Sequence, residues 1–93
     1  MTAYSVSPDL CTLEVSGHAG AGEYGRDLVC CAVSTLCAAA RLIPWSRWEE
    51  GDGHFRITVK EEQRGELRVL IRALRELAGA YPENVCRKEF CYE

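Results

Sequence analysis

Cys30 and His18 are the two side chains of this sequence best placed to act together on a substrate. A thiolate is a strong nucleophile and imidazole titrates near neutral pH, so the pair supplies an attacking group and a proton carrier. The local pattern is GHAGAGEYGRDLVCCAVS, Gly17 to Ser34, in which a histidine sits in a glycine-rich loop and a cysteine follows at the start of a helical pattern. A helix start exposes unpaired backbone N–H groups and the positive end of the helix dipole, where a cysteine is most easily ionised. His54 is the second of the two histidines. It alternates with Phe55 and Ile57, so a strand that buries Phe55 turns His54 away from a helix-borne Cys30.

The groups around this pair have more ordinary readings beside the chemical one. Gly17, Gly20, Gly22 and Gly25 leave the connecting loop short of side chains and free to let another backbone approach. Gly17, Ala19, Gly20, Gly22, Glu23, Tyr24 and Gly25 are therefore read as a substrate-contacting loop, with Glu23 and Tyr24 shaping its groove. Asp27 is a good N-cap for the following helix, and that reading stands slightly ahead of a role in orienting His18. Ser34 lies one turn after Cys30, with a structural role ranked first. Cys31 is about 100° around the helix from Cys30, so one of the two, not both, can face a shared site.

The elements that must position these residues follow from periodicity. Met1–Ser7 and Leu10–Ser16 read as two strands joined at Pro8-Asp9, with Cys11, Leu13 and Val15 on one face. A helix is expected from Asp27 to Leu42 or Ile43, stopped by Pro44, with Val29, Ala32, Val33, Leu36, Cys37 and Ala40 as its apolar stripe. Trp45–Glu50 and His54–Lys60 form a hairpin turning at Gly51-Asp52-Gly53. A second helix is expected over Glu61–Ala80, burying Leu67, Leu70, Ile71, Leu74, Leu77, Ala78 and Tyr81 and ending at Pro82. The tail from Asn84 adds a last strand. The order β-β-α-β-β-α-β predicts an α+β two-layer sandwich: a mainly antiparallel sheet of four to five strands with two helices on one face.

Composition bounds the possibilities. At 93 residues the chain suits one domain, 1–93, of modest core, for which dimerisation is an expected support. A net charge of −3 with interspersed signs argues against nucleic-acid binding. The start MTAYSVSPD lacks signal-peptide character and no apolar run reaches spanning length, so a cytoplasmic protein without membrane contact is expected. Six cysteines in that setting read as reduced thiols. The paired C-x2–4-C knuckles of structural zinc sites are not present, so neither metal nor other cofactor is expected.

The blocks Gly17-His18-Ala19, Glu23-Tyr24-Gly25, Asp27-Leu28-Val29-Cys30 and Ala32-Val33-Ser34 resemble the signature of the ribosomal-processing cysteine proteases, the Prp family. More loosely, the resemblance covers nearly the whole chain. It implies a small, dimeric bacterial endopeptidase that removes the N-terminal extension of a large-subunit ribosomal protein, the one whose tail nears the peptidyl-transferase centre. It places the family's nucleophile at Cys30, the residue directly after the Asp-aliphatic-Val triplet, and its proton carrier at His18. The alternative is a non-catalytic peptide-binding or ribosome-assembly module that holds an extended segment in the glycine-rich loop.

Overall fold

Alternating side chains build the sheet that carries the rest of the molecule. The computed structural model describes residues 1–17 and 28–90. Its strands are β1 (Thr2–Val6), β2 (Thr12–Ser16), β3 (Arg47–Gly51), β4 (His54–Thr58) and β5 (Val85–Arg87). Helix α1 spans Leu28–Ala40 and α2 spans Arg64–Ala80. The sheet order is β3-β4-β2-β1-β5, antiparallel except that β5 runs parallel to β1. On the helix side Tyr4 pairs with Val15, Val15 with Phe55, and Leu13 with Ile57, and these residues are all buried. Their sequence neighbours Glu14 and Arg56 pair on the opposite face. The expected α+β sheet with two helices is the fold observed.

Two turns explain how the strands are joined. Between β1 and β2, Asp9 Oδ1 accepts the Ser7 hydroxyl at 2.5 Å and the Cys11 N–H at 3.0 Å, closing the turn from within. Leu10 is held there at φ +62°, a left-handed conformation that L residues adopt at a cost. Between β3 and β4, Gly51 pairs with His54, and Gly53 at φ +68° completes the reversal. The N–H of Gly17, the last described residue after β2, donates to the Gly53 carbonyl at 2.7 Å. Gly17 has φ +86°, and a Cβ there would run into the Met1 carbonyl oxygen.

The helices differ from expectation at their ends. Helix α1 stops at Ala40 because Leu42 and Ile43 donate to Ala39 and Ala40 three residues back, tightening the last turn ahead of Pro44. The residue before a proline disfavours helical backbone, so Ile43 cannot extend it. At the other helix, Glu61–Gln63 form a 3-10 turn and the α-helix proper begins at Arg64. Leu67, Ile71 and Leu74 are its buried face, while Tyr81 caps the end half exposed instead of joining the core. Among the described residues no helix is long and apolar enough to cross a membrane.

Two stability tests follow. Gly17→Ala combines left-handed strain with a backbone clash and is expected to cost about 2–4 kcal/mol in urea unfolding. Asp9 titrates below its ordinary 3.8, chiefly through the Ser7 hydroxyl and then the Cys11 N–H. A lowered folded pKa adds stability above the unfolded value that is lost as pH falls through the folded one. The urea midpoint of the wild type should therefore fall more steeply than that of Asp9→Asn from about pH 5 to about pH 2.

Candidate active site

Burial of Val29, Val33 and Ala40 against the sheet and α2 fixes the rotation of α1. It leaves Cys30, Ser34, Cys37 and Arg41 along one line of the helix, each on the wall of a single cavity of about 210 Å³. Cys30 is the third residue of α1, Leu28–Ala40, and is half buried. The N–H groups of a helix's first turn can receive a developing oxyanion. Cys31, one step around the helix, is exposed, and its carbonyl accepts the Thr35 hydroxyl at 2.8 Å.

The facing wall comes from the β3–β4 hairpin and the ends of β1 and β2. Glu50, Gly51, Gly53, His54 and Phe55 line it together with Thr2, Val15 and Gly17. Gly17 thus brings the entry of the glycine-rich loop to the cavity that holds Cys30. His18, Ala19, Gly20, Gly22, Glu23, Tyr24, Gly25 and Asp27 lie outside the described residues. His54 reaches the cavity rim at the start of β4, but its ring Nε2 stands 3.8 Å from Glu14 Oε2, beside Arg56 on the face away from the helices. The alternation read from the sequence predicts that orientation.

At the end of the cavity remote from Cys30, Arg41 Nη1 donates to Glu50 Oε1 at 2.6 Å. Periodicity does not reveal this pair, because Glu50 arrives through the packing of a separate hairpin. Cys37 was read as part of the apolar stripe, yet it also lines the cavity. Burial pushes its thiol up to about 11, with Glu50 adding to the rise and Arg41 opposing it. Cys11 is likewise raised by burial and by Asp9. Among the described residues Cys11, Cys30, Cys31, Cys37 and Cys86 are thiols and not disulfides.

A small α+β fold with a cysteine in the first turn of a cavity-lining helix is an arrangement suited to thiol chemistry. The model of the cysteine protease Prp family matches residues 1–86, and the chain belongs to that family of cysteine proteases. Comparison with curated proteins finds no match. Among solved structures, the chain is similar to the essential ribosomal processing protease Prp from S. aureus in complex with a covalently linked product peptide. That pair shares 22% identity over 96% of this chain and 97% of the other, with a TM-score of 0.72. The S. aureus protease in complex with a substrate peptide aligns at 24% identity over 97% and 100% of the chains, again with a TM-score of 0.72. SMU.848 from Streptococcus mutans is 28% identical over 96% and 91%, with a TM-score of 0.58.

The thiols should separate by reactivity. A thiolate, not a thiol, is alkylated, so iodoacetamide at neutral pH is expected to label exposed Cys31 well before Cys11 or Cys37, read by peptide mass spectrometry. Labelling of Cys37 in the folded protein should rise only as pH approaches about 11. Because its folded pKa is raised, the matching stability is complete below the ordinary 9.0 and is lost as pH climbs to about 11.

Proposed function

We propose that this chain is a cysteine endopeptidase that removes the N-terminal extension of a large-subunit ribosomal protein, with Cys30 as nucleophile and His18 as general acid and base. The observation that carries the reading is the place of Cys30, in the first turn of α1 and on the wall of a cavity that Gly17 also lines. Membership of the Prp family supplies the protease class. The S. aureus relatives, a ribosomal processing protease seen with a substrate peptide and with a covalently linked product, support a peptide substrate and a covalent step. The substrate protein is the one whose tail nears the peptidyl-transferase centre, and the enzyme works in the cytoplasm as a homodimer.

In this mechanism the Cys30 thiolate attacks the scissile carbonyl carbon, and the carbonyl oxygen becomes an oxyanion facing the N–H groups of the helix start. The imidazolium of His18 gives its proton to the amine as the C–N bond breaks, leaving an acyl group on sulfur as a thioester. Water, deprotonated by the now neutral imidazole, attacks the thioester; the C–S bond breaks, releasing the acyl group as a carboxylic acid and restoring the Cys30 thiolate and His18 imidazolium. In this reading Asp27 serves as the helix N-cap ahead of a role in orienting His18, and Ser34 borders the same cavity one turn after Cys30. Glu23 and Tyr24 shape the substrate groove in this reading, and the glycine-rich loop contacts the peptide.

The test is mass spectrometry of a peptide spanning the ribosomal-protein extension, incubated with wild type, Cys30→Ala and His18→Ala. Wild type should cut once. Cys30→Ala should lose at least about a thousandfold in rate, and His18→Ala about a hundredfold or more. Both variants should unfold within about 1 kcal/mol of wild type. Cleavage by Cys30→Ala at the wild-type rate would remove the mechanism.

A further inference from the structure

We infer that Arg41 and Glu50 form a charge-reading subsite of the substrate groove, which takes a lysine or arginine of the substrate four or five residues from the scissile bond. This rests on the proposed role of Cys30 as nucleophile. Both residues line the Cys30 cavity, and their side chains are 39% and 47% exposed, within reach of a bound chain. Arg41 follows Cys30 by eleven residues. At 1.5 Å of rise per helical residue that is about 16 Å along α1. An extended peptide covers about 3.3 Å per residue, so about four or five residues span the distance. Along this path Val33, Cys37, Ala38 and Phe55 present no charge, and among the described lining residues Glu50 is the one carboxylate.

The sign follows from what surrounds the pair. Arg41 Nη1 bonds one oxygen of Glu50, and an ionised carboxylate can accept about four hydrogen bonds. Glu50 is the one carboxylate among the described residues of this wall, and no residue of Leu28–Ala40 is charged. The last carbonyls of α1 add the negative end of the helix dipole next to Arg41. An incoming ammonium or guanidinium therefore joins a carboxylate with acceptor capacity left. An incoming carboxylate would have to draw Arg41 from Glu50 and would then face the Glu50 carboxylate without that partner.

The test maps cleavage sites in a proteome-derived peptide library by mass spectrometry, alongside the ribosomal extension peptide, for wild type, Glu50→Gln, Glu50→Lys and the charge swap Arg41→Glu with Glu50→Arg. Wild type should enrich Lys or Arg over Glu at the fourth or fifth residue on one side of the cut, by about threefold to fivefold. Glu50→Gln should flatten that enrichment and Glu50→Lys should invert it. A preference that Glu50→Lys leaves intact overturns the subsite. So does an equal loss on every peptide that the swap restores, which is the mark of a purely structural tie. An untouched extension peptide beside library cuts whose charge preference inverts would sink the ribosomal target and keep the subsite. No cleavage of either overturns both.

Discussion

The way Val29 and Val33 seat against the sheet decides how everything around Cys30 is arranged. Successive helical residues point about 100° apart, so the burial of two valines leaves α1 a single rotational setting. In that setting Cys30, Ser34, Cys37 and Arg41 face the cavity and Cys31 faces solvent. A slip of one residue would exchange the two adjacent cysteines, and their chemistry depends entirely on which of them sits against the wall. The hydrophobic effect, which has no direction of its own, acquires one here through the spacing of the side chains that it removes from water.

The opposing wall is fixed by backbone and not by side-chain packing. The Gly17 N–H to Gly53 carbonyl bond ties the end of β2 to the hairpin turn, and glycine is required at Gly17 because both its φ and the nearby Met1 carbonyl exclude a side chain. The cavity therefore lies between a helix set by apolar burial and a hairpin set by hydrogen bonds and turn geometry. Within it Cys37 stays a neutral thiol at ordinary pH, since burial and Glu50 both disfavour its anion. A second sulfur can thus border the site without competing as a nucleophile.

Much of this was legible in the sequence because periodicity is a local signal. Leu13 and Val15 against Glu14, and Phe55 and Ile57 against His54 and Arg56, announced both strand faces, and the three- and four-residue spacing of Val29, Val33, Leu36 and Ala40 announced α1. The failures have a common origin in contacts between distant segments. Tyr81 continues the spacing of the α2 stripe but follows the last helical residue, Ala80, and is exposed. The Arg41–Glu50 pair and the parallel placement of β5 on β1 depend on how whole elements dock, which no window of sequence records. Helix ends were off by a few residues because local hydrogen bonds, such as Leu42 to Ala39, decide where a helix yields.

The parallel β5 strand has a bearing on the order of assembly. β1 can find β2 as soon as the first sixteen residues exist, since a tight turn joins them. Its other edge waits for Val85–Arg87, with Thr2 donating to the Asn84 carbonyl at 2.8 Å and Lys88 to Tyr4 at 2.8 Å. During synthesis the flank of β1 therefore stays unsheathed until β5 has followed it out, and the closing step joins segments far apart in sequence. Such long-range closure is slow, and an open strand edge is prone to pair with the wrong neighbour. A three-residue strand thereby governs when the nascent chain stops being vulnerable.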